Sequence, residues 1–162
     1  MYPYPILVKA VWFDESRGEI CWINTTKLPH EEEITCSNDP VRIAKAIKDM
    51  EIRGAPAIGV AAALTIGAYA LKISDKSIEE FVTLINNAIH TLLKTRPTAY
   101  NLFYALARMQ RALREAEGKT SDTHTIAKKL VETALEIYRE DVMANLKIGE
   151  YGAELVPDNA TI

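Results

Sequence analysis

Cysteine is scarce in this chain of 162 residues, and its apolar segments are short. Cys21 and Cys36 are the only two cysteines, and they fit no spacing of metal ligands, which argues against a zinc site or a disulfide-rich fold. One disulfide between them stays open, but we expect reduced thiols in a protein of the cytoplasm. The longest apolar run, residues 55–65, is too short and too rich in small side chains to span a bilayer.

Positive charge is not in excess either. The chain carries 19 Lys and Arg against 22 Asp and Glu, a net charge of −3, which gives no general reason to bind nucleic acid or an anionic membrane. An anion site must therefore be built locally. The N-terminus lacks the basic and apolar regions of a secretory signal, so a cytoplasmic location is the expectation. Apolar residues at 48% and charged residues at 25% indicate a globular chain, long enough for one domain with a sizeable core.

Residues 51–63 have the features of a local anion site. Pro56 suits the first turn of a helix, where a backbone N–H would lack a partner, and Gly54 permits a sharp or left-handed turn just before it. The first amides of that helix then point outward beside the guanidinium of Arg53. Exposed amides, the positive end of the helix dipole and a planar cation together favour an anion. The alternative is that Arg53 caps a neighbouring helix or pairs with a surface carboxylate.

One face of the same helix is nearly bare. Gly59, Ala63 and Gly67 recur every four residues and therefore share a face. Another helix is expected to pack very closely against this face and to hold the anion site rigid.

A second arginine precedes a helix further along the chain. Pro97 restricts the residue before it to extended backbone, so Arg96 is extended just ahead of a helix for which Thr98 is the expected N-cap. Taken alone, this segment also fits an ordinary turn between two helices. Two arginines placed in the same way raise the prospect that both converge on one anion.

The remaining patterns predict an α+β fold that is mostly α, with a small N-terminal antiparallel sheet followed by about five helices. Residues 6–13 and 19–23 predict a hairpin around the turn at 14–18, and residues 33–36 a third strand. Val8, Ala10 and Trp12 alternate with Lys9 and Val11, which predicts one buried face.

Five helices follow from their starts, stops and apolar stripes. The first helix is predicted to start at Asp39 and Pro40 with Ile43, Ile47 and Met50 as its apolar stripe, and the second to cover residues 56–73. The third is predicted to have a Ser77–Glu80 capping box and to end near Thr95, and the fourth to end near Gly118. The fifth is predicted to start at Ser121 or Asp122 and to end near Leu155.

The fifth helix changes character along its length. Its apolar stripe ends at Ile137, after which Asp141 and Asn145 continue the same face with polar groups. Buried polar groups need partners, so this face is either a hydrogen-bonded network or a surface that meets another domain, which Gly149 and Gly152 would let approach closely. Direct catalysis by Asp141 is the weaker alternative.

Several segments resemble the S-methyl-5-thioribose-1-phosphate isomerases of methionine salvage. The resembling segments are residues 24–29 (Asn-Thr-Thr-Lys-Leu-Pro), 53–63 (Arg-Gly-Ala-Pro-Ala-Ile-Gly-Val-Ala-Ala-Ala), 96–109 (Arg-Pro-Thr-Ala-Tyr-Asn-Leu-Phe-Tyr-Ala-Leu-Ala-Arg-Met) and the Glu-Asp, Asn and Ile-Gly positions of 140–152. The broader family includes ribose-1,5-bisphosphate isomerases and the regulatory subunits of a translation-initiation exchange factor. The resemblance extends from about residue 8 to residue 162.

The resemblance implies that the chain is the substrate-binding domain of a sugar-phosphate aldose–ketose isomerase, acting on S-methyl-5-thioribose 1-phosphate. Arg53, Gly54, Ala55 and Arg96 are the residues it implies for substrate binding. It implies no metal and no organic cofactor. Residues 1–155 would form this domain, and residues 156–162 would begin a Rossmann-like domain that carries the catalytic cysteine and aspartate. The chain alone would then be inactive, and the whole protein would be a homodimer held largely by the second domain.

Two other functions stay open within the resemblance. One is a ribose-1,5-bisphosphate isomerase, which has the same reaction class and a second phosphate in place of the methylthio group. The other is a non-catalytic regulatory subunit of the exchange factor, in which this domain senses a nucleotide or sugar phosphate or provides an assembly surface. The amino-acid sequence of residues 53–59, Arg-Gly-Ala-Pro-Ala-Ile-Gly, favours the methylthioribose enzymes.

Overall fold

The computed structural model describes residues 9–161. Its strands are β1 (Val11–Asp14), β2 (Glu19–Ile23) and β3 (Ile34–Ser37), and its helices are α1 (Pro40–Lys48), α2 (Ala55–Lys72), α3 (Ile78–Leu93), α4 (Tyr100–Glu117) and α5 (Thr123–Glu154). The three strands form one antiparallel sheet in the order β1-β2-β3. The predicted α+β class, with a small sheet before five helices, is confirmed for this part of the chain.

The hairpin between β1 and β2 forms as predicted, but the buried face of β1 is the opposite one. The carboxylate of Asp14 accepts hydrogen bonds from the backbone N–H and hydroxyl of Ser16, which fixes the turn. Val11 pairs with Trp22 and is buried, whereas Ala10 is exposed. The prediction for Ala10 was wrong because Val11 lies within reach of α2, and alternation alone does not tell which face meets a helix. Residues 6–8 of the predicted strand lie outside the described residues.

Cys21 and Cys36 form a disulfide, and the prediction of two reduced thiols was wrong. The two residues are direct partners in the antiparallel ladder between β2 and β3, with Cα atoms 4.1 Å apart. Such neighbours are close enough to be bridged. The register of β3 depends on the loop at residues 24–33, which the spacing of the cysteines does not reveal.

The start of α1 was predicted correctly, and its end was not. The side chain of Asp39 accepts a hydrogen bond from the N–H of Val41, with Pro40 in the first turn. The helix ends at Lys48, so Met50 lies beyond it with a φ of 61° and a side chain that is 51% exposed. Met50 therefore belongs to the turn before α2 and takes no part in the apolar stripe.

Helix α2 is the centre of the fold. It contacts the other four helices and the first two strands, and its side chains are buried on nearly every face. A helix that is apolar all round is expected in a core position. By length and composition α2 would also pass for a membrane span, but 67% of it is buried inside the protein.

The bare face of α2 is tightly packed, as predicted. A β-carbon placed on Gly59 would lie 2.6 Å from the carbonyl oxygen of Asn101 in α4, and one on Gly67 would lie 3.2 Å from Cα of Val131 in α5. Glycine at these two positions lets the backbones of α4 and α5 approach that of α2. The contact at Gly59 joins the second turn of α2 to the first turn of α4.

The helix that follows Arg96 begins later than predicted and without the predicted cap. Its N-terminal boundary residue is Ala99, and Thr98 provides no side-chain cap. The backbone N–H of Ala99 instead donates to the carbonyl oxygen of Arg96 at 3.0 Å, which closes a turn before the helix.

The capping box predicted for the third helix is confirmed, since the hydroxyl of Ser77 accepts a hydrogen bond from the N–H of Glu80.

Helix α5 leaves the bundle before it ends. It has 32 residues, begins at an N-cap of Asp122 as predicted, and buries its last core side chain at Ile137. At 1.5 Å per residue it is roughly 48 Å long. Its last third carries the exposed apolar side chains of Met143, Ile148 and Tyr151, and the exposed Leu155 follows the helix as its C-cap residue. A β-carbon at Gly149 or Gly152 would meet nothing within 4 Å.

Candidate functional site

The turn between α1 and α2 is anchored by a partly buried cluster of two charged side chains and a tryptophan. The carboxylate oxygen Oε2 of Glu51 accepts hydrogen bonds from Trp22 Nε1 at 3.1 Å and from a terminal nitrogen of Arg42 at 2.7 Å. The Arg42 guanidinium also lies 4.9 Å from the centroid of the Trp22 ring. Hydrogen bonds to an ionised group are among the stronger ones in proteins. The cluster therefore fixes the backbone just ahead of Arg53.

Arg53 itself is held by a threonine from the loop after β2. The N–H of Thr25 donates to the carbonyl oxygen of Glu51 at 3.0 Å, and its hydroxyl donates to that of Met50 at 2.9 Å. The same hydroxyl accepts a hydrogen bond from Arg53 Nε at 3.1 Å. The terminal nitrogens of Arg53 make no hydrogen bond to any of residues 9–161, so they remain available to a ligand.

The start of α2 has no side-chain cap, and its role as an anion site stays a prediction. Gly54 has a φ of 96°, which confirms the left-handed turn, and no side chain of the described residues accepts a hydrogen bond from the first amides of the helix. These amides lack partners within the helix and lie at the positive end of its dipole. Arg53, Gly54 and Ala55 are all exposed here.

The start of α4 has the same features. Thr95 ends the preceding segment, where its hydroxyl and its N–H both bond to the carbonyl oxygen of Leu92. Arg96 follows, half-buried, and its guanidinium forms neither a hydrogen bond nor an ion pair within the described part of the chain. No side chain there caps the first amides of α4. Because Gly59, in the second turn of α2, contacts Asn101, in the first turn of α4, the two helices lie against each other near their starts.

A cavity of about 280 Å³ lies between α2, α4 and α5. Its lining residues are Pro56, Gly59 and Val60 from α2, Tyr100, Asn101, Tyr104, Ala105 and Arg108 from α4, and Ile137, Glu140 and Asp141 from α5. Arg53, Gly54, Ala55 and Arg96 are not part of this lining. Pro56, the residue after Ala55, belongs to the lining, so the cavity begins next to the open start of α2.

Of the two carboxylates in the cavity lining, one is paired with an arginine and the other has no cation beside it in the described chain. Both oxygens of Glu140 accept hydrogen bonds from Arg108, one of them at 2.9 Å, and this pairing lowers the pKa of the Glu140 carboxyl. Burial raises the pKa of Asp141, whose carboxylate has only a 3.4 Å contact from the amide of Asn145 in the described chain. Asn145 bonds more closely, at 2.9 Å, to the backbone oxygen of Asp141. Asp141 thus contributes an unmatched negative charge.

Sequence reasoning singled out Asp141 but missed Thr25, Arg108 and Glu140. The partners Arg108 and Glu140 stand 32 residues apart on different helices, and Thr25 stands 28 residues from Arg53. No local pattern in one sequence links such residues. The one available signal was that residues 24–29 and 96–109 resemble the isomerase family, but this resemblance did not single out these side chains.

The hydrogen bond between Thr25 and Arg53 leads to a first prediction. Thr25→Val keeps the shape of the side chain but removes the hydroxyl, so the Arg53 guanidinium loses its anchor. Since such a bond contributes about 0.5–1.5 kcal/mol, the affinity of the chain for inorganic phosphate should fall roughly two- to tenfold. A phosphate titration followed by NMR measures this affinity.

Thr26→Val is the matched control, because the Thr26 hydroxyl bonds to Asn24 in the same loop and has no contact with Arg53. Thr25→Ser should restore most of the affinity. Equal losses in the Thr25→Val and Thr26→Val variants would mean that the loop matters for stability and that Thr25 does not position Arg53.

Comparison with known proteins gives the chain its relatives. Residues 51–162 match the Initiation factor 2 subunit family. A putative methylthioribose-1-phosphate isomerase of Aeropyrum pernix is 41% identical over 155 residues, which cover 96% of this chain and 42% of the relative. A methylthioribose-1-phosphate isomerase of Geotalea daltonii is 40% identical over 90% of this chain and 41% of its own length. The chain thus spans about two fifths of these relatives.

Two solved structures share the fold. The 5-methylthioribose 1-phosphate isomerase of Pyrococcus horikoshii aligns over 93% of this chain and 41% of its own, with a TM-score of 0.86 and 38% identity. The delta subunit of translation initiation factor eIF-2B from A. fulgidus aligns over 94% of this chain and 43% of its own, with a TM-score of 0.83 and 31% identity. The family match over residues 51–162 includes Arg53 and Arg96. This chain belongs to the Initiation factor 2 subunit family.

Proposed function

We propose that the chain is the substrate-binding part of an aldose–ketose isomerase that converts S-methyl-5-thioribose 1-phosphate to S-methyl-5-thioribulose 1-phosphate. The observation that carries the proposal is the meeting of two uncapped helix starts, each preceded by an arginine with unused donors. Helix starts and guanidinium groups both suit a phosphate. Relatives that bear the name of this isomerase align with nearly the whole chain.

In this proposal Arg53, Gly54, Ala55 and Arg96 hold the phosphate end of the substrate. Gly54, with a φ of 96°, turns the chain between Arg53 and Ala55. The phosphate on the anomeric carbon prevents the sugar ring from opening by loss of a hydroxyl proton. The ring oxygen must therefore receive a proton as its bond to C1 breaks, after which hydrogen moves from C2 to C1. We assign these proton transfers to a cysteine and an aspartate beyond residue 162, in a Rossmann-like second domain.

The far end of α5 is proposed to pack against that second domain. Its exposed apolar side chains, with Leu155 at 84% exposure, have no cover within the described residues. Burial of such side chains is favourable, and Gly149 and Gly152 leave room for close approach. A cytoplasmic homodimer that uses neither a metal nor an organic cofactor completes the proposal.

The eIF-2B delta subunit supports a second candidate, a regulatory subunit without catalysis. The same open helix starts would then sense a sugar phosphate or nucleotide. The ribose-1,5-bisphosphate isomerase alternative is less favoured, because the cavity beside the site carries an unpaired carboxylate, which would repel a second phosphate.

One NMR experiment tests the proposal. S-methyl-5-thioribose 1-phosphate is added to the labelled chain, and both the protein amides and the sugar are observed. The expected result is a shift of the amide signals of Arg53, Gly54, Ala55 and Ala57 and of those of Ala99 to Leu102, with no ketose formed. Formation of the ketose by this chain would overturn the placement of catalysis beyond residue 162. Absence of shifts at both helix starts would overturn the binding role.

A further inference from the structure

We propose that the cavity between α2, α4 and α5 is a subsite for the hydroxyl groups of a phosphorylated sugar, with Asp141 and Asn101 as the groups that bind them. The inference rests on the proposed function, because it places the phosphate at the start of α2. It adds a carboxylate and an amide that bind the rest of the ligand, on helices that hold them in fixed places.

The charges of the cavity argue against a second anion there. Arg108 is its one cation within the described residues, and both carboxylate oxygens of Glu140 are bonded to it. The Arg108 guanidinium also lies 5.9 Å from the ring centroid of Tyr104, which further restrains it. The remaining charge is the negative one of Asp141. A neutral group that donates hydrogen bonds is therefore the ligand chemistry that fits.

The unused hydrogen-bonding groups point to hydroxyls in particular. The side-chain amide of Asn101 forms no hydrogen bond to any described residue, and Asp141 has only its long contact from Asn145. An ionised carboxylate accepts only, whereas an amide both donates and accepts. A hydroxyl also does both, so adjacent hydroxyls can donate to Asp141 while they accept from and donate to Asn101.

The walls of the cavity fit the carbon face of a sugar. Val60 and Ile137 provide apolar surface on the inside, and the rings of Tyr100 and Tyr104 stack at the rim with centroids 6.3 Å apart. Tyr100 is 76% exposed. Binding sites for small molecules commonly combine apolar and aromatic walls with a few polar groups that fix orientation. The lining thus offers both parts of such a site.

Asp141 is also positioned where it does not help the fold. Its carboxylate is partly desolvated without a cation in residues 9–161, which disfavours the charged form. A group that weakens the free protein in this way is more readily explained by a ligand than by packing. The isosteric change Asp141→Asn should therefore leave the melting temperature unchanged or raise it.

The test measures the affinity of the 162-residue chain for α-ribose 1-phosphate, 2-deoxyribose 1-phosphate and inorganic phosphate by NMR titration. The unchanged chain should bind ribose 1-phosphate most tightly and inorganic phosphate least tightly. Asp141→Asn should weaken ribose 1-phosphate roughly tenfold and change inorganic phosphate less than about twofold, since one charge-assisted hydrogen bond to the sugar is lost. Asn101→Ala should weaken the same ligand selectively.

Glu136→Gln is the matched control, because Glu136 is an exposed carboxylate on the same helix outside the cavity. The subsite is overturned if ribose 1-phosphate binds no more tightly than inorganic phosphate, if Asp141→Asn weakens both equally, or if that variant melts at a lower temperature. Failure of the proposed function is recognised separately: inorganic phosphate would not bind, and Arg53→Ala would have no effect.

Discussion

Gly59→Ala is expected to lower the free energy of unfolding by about 1–3 kcal/mol, the usual range for an overpacked core. The new methyl group would lie 2.6 Å from the carbonyl oxygen of Asn101. That oxygen belongs to the backbone of α4 and the alanine methyl group has no other rotamer, so one of the two helices must shift. Gly59→Leu should cost more. For a domain of this size, each 1 kcal/mol lowers the melting temperature by roughly 2–4 °C.

Two other glycines provide a graded control in helices. Gly67→Ala places its methyl group 3.2 Å from Cα of Val131, a milder conflict, and Gly149→Ala meets nothing within 4 Å. Alanine is a better helix former than glycine by about 1 kcal/mol, so Gly149→Ala should be neutral or stabilising. The expected order of melting temperatures is Gly149→Ala, then Gly67→Ala, then Gly59→Ala.

A melting temperature for Gly59→Ala equal to that of Gly149→Ala would show that the bare face of α2 is not closely packed. The consequence would extend to the site, because the contact between Gly59 and Asn101 brings the two open helix starts together. A Gly59→Ala variant that still folds should therefore bind phosphate more weakly, whereas Gly149→Ala should bind it normally.

Helices were predictable from this sequence because their determinants are local. Asp39, Ser77 and Asp122 each cap a helix at the predicted place, and the side chain of each accepts from an amide two or three residues later. The stripe on α5 from Ile126 to Ile137 is buried as its spacing indicated. Caps and periodicity need only neighbouring residues, so a single sequence contains them.

Two of the errors concern features fixed by distant parts of the chain, and two concern a local turn at a helix end. The buried face of β1 depends on where α2 lies, and the disulfide depends on a register set by the loop at residues 24–33. Met50 kept the helical spacing of Ile43 and Ile47, but the chain had already turned. The missing cap at Thr98 arises because the carbonyl of Arg96 closes the turn instead.

The candidate site also has a part that the local sequence predicted and a part that it did not. The glycine, proline and arginine around residue 54 describe an open helix start on their own, and Gly54 has the backbone that this reading required. The threonine that holds Arg53, the Arg108–Glu140 pair and the cavity come from segments that meet only after folding. The binding roles of Arg53, Gly54, Ala55 and Arg96 stay predictions.

Arg96→Ala is expected to weaken phosphate binding by at least roughly tenfold with little change in stability. Its guanidinium has no partner within residues 9–161, so the fold loses no hydrogen bond or ion pair when it is removed. A phosphate held by both of its terminal nitrogens would lose charge-assisted hydrogen bonds of about 1.5–3 kcal/mol each. Phosphate titration and thermal melting of the same variant measure the two effects.

Two further variants test whether phosphate binding depends on the planar shape of the Arg96 guanidinium, on its charge and on its position in the chain. Arg96→Lys keeps the charge without the planar fork and should recover only part of the affinity. Arg111→Ala removes an exposed arginine from α4 away from the helix start and should bind phosphate normally. If the proposed isomerase assignment holds, kcat/KM of that enzyme should follow the same order, with each 1.4 kcal/mol of lost transition-state binding lowering it about tenfold. If Arg96→Ala lowers the melting temperature but leaves phosphate affinity unchanged, Arg96 serves the turn between α3 and α4, and the anion site must be assigned to the start of α2 alone.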